Sequence, residues 1–336
     1  MIEVDNKALK DYRFIDLFCG IGGFHLALSS FGAKCVFASD IDKNAKIVYE
    51  KNHGLRPHGD ITKIAVEEIP EHDIICAGFP CQPFSISGDQ KGFDDPRGKL
   101  FFNVVDIAKY HRPKVIFLEN VKNFEKHDDG KTLKRVKDEL ENIGYTVYSK
   151  VLCASNYGVP QARKRIYIVA FRNDIDSKSF SFPSKVDEFK VVEDVLIDDA
   201  ENIILGTYVI DRETIMEIYE PSERANKLVR IGKIGKGRQG ERIYSVLGVS
   251  TTLSSQGGGL GGKTGMYLID GMVRKLYPRE CARLMGFPDS FHLAETQEQN
   301  YKQFGNSVVV EVIQLIAKEI ARYLPQNNNY SGNKEE

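Results

Sequence analysis

The sequence predicts an α/β protein: a three-layer domain on a seven-strand sheet, followed by a second, smaller and mostly β domain. Three observations predict it. Short apolar runs alternate with amphipathic stretches as far as Pro183. A turn reading Cys-Gly-Ile-Gly-Gly joins the first run to the first amphipathic stretch, as in nucleotide-binding sheets. Beyond Pro183 the periodicity weakens, and short strands and glycine-rich loops follow.

The elements of the large domain follow from apolar runs that end at polar residues or glycine. Helices are expected between strands where the period changes to 3.6. We predict strands at 13–18, 33–39, 59–62, 73–77, 113–121, about 145–153 and 165–171, with helices at 24–32, 42–52, 99–111 and about 131–143.

The chain is divided by its composition into five predicted segments. We expect the large domain over 1–193, the small domain over 194–277, a hinge over 278–304, an amphipathic helix over 305–325 that packs back on the large domain, and a disordered tail over 326–336.

Composition excludes several classes of protein. Of 336 residues, 42% are hydrophobic and 28% charged, which is ordinary for a globular protein. No apolar run is long enough to span a membrane, and the start has no secretory pattern. The six cysteines lack metal-ligand or disulfide-framework spacing. We therefore expect a reduced, cytoplasmic chain with no metal.

The net charge of −1 conceals a basic segment. Residues 221–283 hold 12 basic and 4 acidic residues together with 12 of the 29 glycines. Such a segment points to a polyanionic partner that the backbone approaches closely. The alternative is a solvated basic face.

Residues with chemical function follow successive strands of the large domain. Because the ends of such strands meet at one edge of the sheet, we expect them to form a site. They are Phe18 with its glycines, Asp40, Asp60, Cys81, Glu119, and Arg163 with Arg165. Gly20 and Gly22 match the first spacing of a dinucleotide fingerprint, but His25 takes its third position, which argues against an NAD dehydrogenase.

Cys81 lies between Pro80 and Pro83 at the end of a strand. The two prolines stiffen the turn that presents the thiol. The alternative is an inert buried thiol, which we expect of Cys76.

Five motifs in this order, FCGIGG, PCQPFS, ENV, QARKR and GNSV, resemble those of the DNA (cytosine-5)-methyltransferases. The resemblance covers essentially the whole chain, and the basic segment resembles that of the HhaI-type GCGC methylases. It implies a Rossmann-like methyltransferase sheet with S-adenosylmethionine as methyl donor and S-adenosylhomocysteine as product. It also implies methylation of double-stranded DNA, with the inner cytosine of GCGC as the expected target.

The resemblance also assigns the chemistry. The Cys81 thiolate adds to carbon 6 of a flipped cytosine, and a protonated Glu119 bonds to ring nitrogen 3. Arg163 and Arg165 hold the carbonyl of the base and a nearby phosphate. Without the resemblance, Glu119 would be a solvated strand-end acid and the arginines a surface cluster.

The implied cofactor site has Phe18 stacked on the adenine and Asp40 on the ribose. Asp40 and Ile41 depart from the HhaI type, which has a longer acid and an aromatic residue there. The cofactor-binding residues predicted are Phe18, Gly20, Gly22, Gly23, Asp40, Ile41, Asp60, Ile61, Gly78, Pro80, Leu100, Asn306 and Ser307.

The DNA contacts expected are a flap from Phe84 to Gly98 that closes over the duplex, a guanine contact by Arg242, and Gln239 in the gap left by the flipped base. The DNA-binding residues predicted are Ser85, Ser87, Lys236, Gln239, Arg242, Thr252 and Lys263.

The implied setting is a bacterial restriction–modification system, with a monomer acting at the nucleoid and a restriction endonuclease as its functional counterpart. Two alternatives share much of the pattern: a tRNA cytosine-5 methyltransferase and a non-catalytic DNA-binding homologue.

Overall fold

The residues that the structure describes form two six-stranded sheets. The computed structural model describes residues 7–80, 100–197, 209–210, 215–216, 219, 221–257 and 259–325. Within these residues no helix has the length and apolarity that a membrane span needs.

The first sheet has the order β2-β1-β3-β4-β6-β5. Strands β1 to β4 run parallel, whereas β6 is antiparallel to both β4 and β5. The strands are β1 (Arg13–Leu17), β2 (Lys34–Ser39), β3 (Ile74–Ala77), β4 (Val115–Val121), β5 (Tyr145–Cys153) and β6 (Lys164–Arg172). The predicted α/β class is confirmed.

Helices cover both faces of this sheet because successive strand residues point to opposite faces. Phe14 packs in the core beneath the first and last helices of the chain, and Ile15 packs in the core on the other face. The helices here are α1 (Gly23–Ser29), α2 (Lys43–His53), α3 (Leu100–His111) and α4 (Lys131–Asn142).

The predicted strand at 59–62 is wrong, so the described residues contain six strands of this sheet rather than seven. Only a single bridge joins Ser39 to His58. Asp60 then accepts hydrogen bonds from the amide and the hydroxyl of Thr62 at 3.0 and 2.7 Å. These local bonds draw the backbone into a 3₁₀ turn over Ile61–Lys63 instead of an extended strand.

The second sheet has the order β7-β12-β11-β10-β9-β8, and its only parallel pair among the described residues is β10 with β11. Its small core is formed by five residues, among them Ile243 and Met266. The strands are β7 (Val209–Ile210), β8 (Ile215–Met216), β9 (Arg230–Ile234), β10 (Arg242–Ser245), β11 (Met266–Ile269) and β12 (Met272–Arg274). They lie within the range predicted for the small domain, and the division into domains stays a prediction.

Three helices follow the second sheet: α5 (Pro278–Leu284), α6 (Gln297–Asn306) and α7 (Val310–Ala321). The helix expected over 305–325 therefore begins five residues later. Ser307 is extended, with φ −74° and ψ 160°, and Arg163 binds its carbonyl group, so that carbonyl takes no part in a helix. Helix α7 packs against α1, and its assignment to the large domain stays a prediction.

Glu280 connects the segment that enters the second sheet to the segment that leaves it. Its carboxylate accepts two hydrogen bonds from Arg274, each of 2.8 Å, and one from the amide of Tyr277. A fourth bond comes from the amide of Ile197, on the segment that leads into the sheet. Glu280 is fully buried, and this complete set of donors offsets the desolvation of its charge.

Candidate active site

The carboxyl ends of the four parallel strands meet at one edge of the first sheet. The register of β1 with β2 and β3, and of β3 with β4, brings Phe18, Asp40, Gly78 and Glu119 to this edge. Three of the strand-end residues predicted from the sequence, Phe18, Asp40 and Glu119, thus lie at the same edge, together with Gly78.

The turn after β1 has three residues in the left-handed region: Phe18 (φ 54°), Gly20 (φ 53°) and Gly22 (φ 87°). Asp40 holds this turn, since its Oδ2 accepts from the amide of Gly20 at 2.8 Å and its Oδ1 from the amide of Asp42 at 2.7 Å. Burial raises the pKa of Asp40, and these backbone bonds oppose the shift. Because both oxygens keep further lone pairs, the carboxylate can also accept from a ligand hydroxyl.

The glycine turn allows close approach on two sides. A Cβ on Gly22 would lie 2.2 Å from His53 Nε2, and one on Gly23 would lie 2.6 Å from Val308 Cγ2 and 3.1 Å from Ser307 Oγ. A Cβ on Gly20 would meet nothing within 4 Å. The turn is therefore packed against His53 at Gly22 and against Ser307 and Val308 at Gly23. It is open at Gly20, as a ligand-binding turn requires.

Two stacked histidines lie against this turn, and sequence analysis gave neither a role beyond the broken fingerprint. The rings of His25 and His53 are 4.1 Å apart and inclined by 18°. His25 Nδ1 hydrogen-bonds the hydroxyl of Tyr49 at 2.7 Å, and His53 Nε2 lies 3.2 Å from the carbonyl oxygen of Ile21. Burial and the charge of His53 lower the pKa of His25 to about 3.

The low pKa of His25 predicts a loss of stability in acid. Between its ordinary pKa and about pH 3, the unfolded chain binds a proton that the folded chain does not, so the free energy of unfolding falls as pH falls. For His25 alone the loss should reach up to about 2 kcal/mol at pH 5. Urea unfolding at pH 7.5 and pH 5 should show a smaller loss for His25→Gln, and an equal loss would contradict the prediction.

The predicted adenine and ribose contacts follow β1 and β2 and include the turn at Asp60. Phe18, on the glycine turn, is half-buried, and Ile41 exposes 75% of its side chain. Asp60 accepts both hydrogen bonds from Thr62 at Oδ1, and these bonds lower its pKa. Ile61 is buried in the core. An exposed aliphatic side chain and two carboxylates suit a nucleoside, and its contacts with these residues stay a prediction.

Glu119 and Arg165 form the charged centre of the site. Glu119 is 8% exposed, and Arg165 Nε lies 3.1 Å from its Oε1, an ion-pair contact rather than an aligned hydrogen bond. Burial raises the pKa of Glu119, while Arg165 and then Arg163 oppose the shift. A Cβ on Gly78 would lie 4.0 Å from Glu119 Oε2. The carboxyl group can therefore hold a proton close to the end of β3 and donate it to a polar ligand.

Three predicted residues that precede or follow this centre lie at the limits of the described chain. Gly78, Pro80 and Leu100 are half-buried, whereas Cys81, Ser85, Ser87 and the predicted flap lie outside the described residues. Asn120 was missed, although it stands in the ENV motif. Its Nδ2 donates to the carbonyl of Phe79 at 3.2 Å, which fixes the segment that leads to Cys81.

Arg163 makes contacts that the sequence did not suggest. Its guanidinium, 2% exposed, donates to the carbonyl groups of Leu253, Gly305 and Ser307 at 3.2, 3.1 and 2.7 Å. Its predicted contact with a base stays a prediction. Gln161, also missed, donates to Leu284 and accepts from Leu253. Asn306 is exposed at the end of α6.

The predicted DNA contacts divide into two groups. Lys236 and Gln239 are exposed at the tip between β9 and β10, where Arg242 Nε donates to Gly237 at 3.4 Å. Thr252 donates to the carbonyl of Ala162 at 2.8 Å, and Lys263 pairs with Glu298 at 3.4 Å. The first group is open to a ligand, whereas the second is engaged within the protein. Over the described ranges, no cluster of His, Cys, Asp and Glu could hold a metal ion.

Comparison with known proteins gives four concordant matches. The family model of the C-5 cytosine-specific DNA methylases matches residues 12–322. The type II methyltransferase M.HhaI of Haemophilus parahaemolyticus is 52% identical over 325 residues, covering 96% of this chain and 98% of that protein. M.HaeII of Haemophilus aegyptius is 41% identical, covering 92% of each. The solved structure of the Entamoeba histolytica methyltransferase EhMeth shares the fold, with a TM-score of 0.74 at 21% identity over 93% of this chain and 98% of that one.

Proposed function

Because the chain belongs to the family of C-5 cytosine-specific DNA methylases, we propose that it methylates carbon 5 of the inner cytosine of GCGC in duplex DNA. It is a DNA cytosine-5 methyltransferase, with type II restriction–modification enzymes among its relatives. The observation that carries the proposed chemistry is the buried Glu119 beside Arg165 at the strand end next to Gly78. The proposed target rests on the resemblance of the basic segment to that of the HhaI type.

The cofactor proposed is S-adenosylmethionine, which supplies a methyl group on a sulfonium. The residues present fit it: Gly20 leaves open space where a side chain would stand, and Asp40 has acceptor capacity for ribose hydroxyls. Phe18 and Ile41 would contact the two faces of the adenine, and Asp60 its amino group. Gly23 and Ser307, in contact with each other, would line the methionine end together with Asn306.

The proposed mechanism begins with the Cys81 thiolate. A sulfur–carbon bond forms at carbon 6 of the flipped base, and the ring electrons shift to make carbon 5 nucleophilic. Glu119 gives its proton to ring nitrogen 3 as negative charge develops there. Arg165 orients Glu119 and binds the carbonyl of the base. After carbon 5 gains the methyl group, it loses its proton, the sulfur–carbon bond breaks, and the nitrogen 3 proton returns to Glu119.

Target reading is assigned to the hairpin of β9 and β10. Five basic residues lie on it or at its tip, which suits the negative phosphates that flank a site. They are Arg230, Lys233, Lys236, Arg238 and Arg242. Arg242 is proposed to bind a guanine edge through its planar fork, and Gln239 to fill the space of the extruded cytosine.

Replacing Arg242 by alanine should weaken binding to the cognate duplex by about 1–3 kcal/mol and relax preference at one guanine. Binding titrations with a cognate duplex and with duplexes altered at single guanines measure both effects. Arg238→Ala is the matched control, because an exposed phosphate-binding arginine on the same tip should weaken all duplexes alike. Unchanged site preference in Arg242→Ala would contradict the guanine contact.

Bisulfite sequencing of plasmid DNA from bacteria that express the protein tests the proposed function. The inner cytosine of every GCGC should resist conversion, and protection in another context would overturn the target. Labelled S-adenosylmethionine should transfer its methyl group to duplex DNA, and incorporation into tRNA alone would overturn the substrate. We further propose that the protein acts as a monomer at the nucleoid, with a restriction endonuclease of the same specificity as its functional counterpart.

A further inference from the structure

The buried guanidinium of Arg163 joins three parts of the chain that are distant in sequence. It stands immediately before β6 and binds Leu253, in the loop between β10 and β11, as well as Gly305, near the end of α6, and Ser307, which follows α6. Arginine remains charged at any ordinary pH and spreads its donors over a rigid plane. It can therefore hold carbonyl groups of separate segments at once, which the single ammonium of lysine does poorly.

On one side of Arg163, a single parallel bridge between Gln161 and Ser250 joins the loop after β10 to the segment before β6. The amide of Ser250 donates to Pro160 at 2.8 Å, and the amide of Ala162 donates to Ser250 at 2.9 Å. The hydroxyl of Thr252 bonds to Ala162 as well. The loop that carries two of the proposed DNA contacts is thus fixed to the catalytic sheet at this point.

On the other side, the turn between α6 and α7 fills the space between this loop and the glycine turn. A Cβ on Gly305 would lie 2.4 Å from the amide nitrogen of Ser255, and a Cβ on Gly23 would lie 2.6 Å from Val308. Contact is therefore continuous from the loop, through Gly305 and Val308, to the turn proposed for the cofactor. Such close packing transmits a displacement at one end to the other.

We propose that Arg163 is a positioning residue that couples binding of DNA at the loop to binding of S-adenosylmethionine at the glycine turn. It does so by fixing the carbonyl groups of Gly305 and Ser307 relative to that of Leu253. The inference rests on the proposed function, which places the cofactor at the turn, and on the prediction that Thr252 and Lys263 of the loop contact DNA. Coupling between two sites is reciprocal, so each ligand raises the affinity for the other by the same factor.

Calorimetric titration of S-adenosylhomocysteine measures this factor, with the free protein and with its complex on a duplex that carries the sequence identified by bisulfite sequencing. The wild type should bind the cofactor product about 5- to 150-fold more tightly on DNA. In Arg163→Lys the factor should fall to within about twofold of unity, because lysine keeps the charge but not the fork. Its affinity in the absence of DNA should change less.

Arg279→Lys is the matched control. Arg279 also donates to two carbonyl groups, of Pro288 at 3.3 Å and Phe291 at 2.9 Å, but touches neither the loop nor the α6–α7 turn. It should keep the wild-type factor. A wild-type factor in Arg163→Lys, or no coupling in the wild type, would overturn the inference while DNA methylation by the wild type still upheld the proposed function.

Hydrogen exchange in the wild type decides the matter if Arg163→Lys fails to fold. S-adenosylhomocysteine alone should slow exchange of the amides of Ala162 and Leu253, whose acceptors lie across the loop contact. Unchanged exchange at both amides would overturn the inference.

Discussion

Replacing Glu119 by glutamine should lower the rate of methyl transfer about 10²- to 10⁴-fold, the usual contribution of a positioned general acid. The amide can still form a hydrogen bond to ring nitrogen 3, but it has no proton to give as the thiolate adds. The change also leaves Arg165, 3.1 Å from the carboxylate, without its counter-charge. Single-turnover methylation at saturating DNA and cofactor measures the chemical step apart from binding.

A falling limb should also disappear from the pH profile of this variant. The raised pKa of Glu119 means that its protonated form persists above the ordinary range of a carboxyl group and is lost as pH rises through that pKa. Glu311→Gln is the matched control, because burial also raises the pKa of Glu311, on α7, whose carboxyl group packs against Gly286. Wild-type turnover in Glu119→Gln would remove the acid from the mechanism.

Replacing Cys81 by serine should abolish turnover, with a loss on the order of 10⁴-fold or more, since removal of a covalent nucleophile has effects of that size. A hydroxyl group ionises far less readily than a thiol, so serine cannot form the bond at carbon 6 near neutral pH. Binding of DNA and of cofactor should persist, because only the covalent step is lost.

A duplex with 5-fluorocytosine at the target position makes this step visible. Fluorine cannot leave carbon 5 as the proton does, so the wild type should stop as a stable adduct that mass spectrometry assigns to Cys81. The matched control is Cys153→Ser, which removes a half-buried thiol that lies 3.3 Å from the hydroxyl of Ser155. That variant should form the adduct, and an adduct in Cys81→Ser would exclude the assigned nucleophile.

Much of the catalytic edge was predictable because short apolar runs and strand-end polar residues are local features of the sequence. Asp40, predicted at a strand end near the glycine turn, forms a direct hydrogen bond to Gly20. The placement of Glu119 at a strand end followed from the same logic, and the order of the parallel strands brought it beside Gly78.

What sequence reasoning missed depends on contacts between distant segments or on local side-chain bonds. Arg163 and Arg165 were given one role because the family resemblance implies the same contacts for both. Gln161 pairs with Ser250 before β6 begins, so Arg163 lies outside the strand that contains Arg165. The periodicity of apolar residues does not reveal such a contact between distant segments. At Asp60 a bond to Thr62 overrode the extended pattern. The last helix begins later than expected because Arg163 binds the carbonyl group of Ser307.

The four hydrogen bonds of Glu280 limit where the chain of this protein can be joined to that of a relative in a chimaera. Specificity exchange between relatives would transplant the second sheet, and Glu280 ties its entrance at Ile197 to its exit at Arg274. A chimaera joined between Arg274 and Glu280, with a different residue in place of one of them, would leave the other charge buried and unpaired. This should lower the free energy of unfolding by about 3–5 kcal/mol. A graft that transfers residues 197–280 as one piece keeps all four hydrogen bonds of Glu280. It also leaves the catalytic edge with its own Glu119 and Arg165.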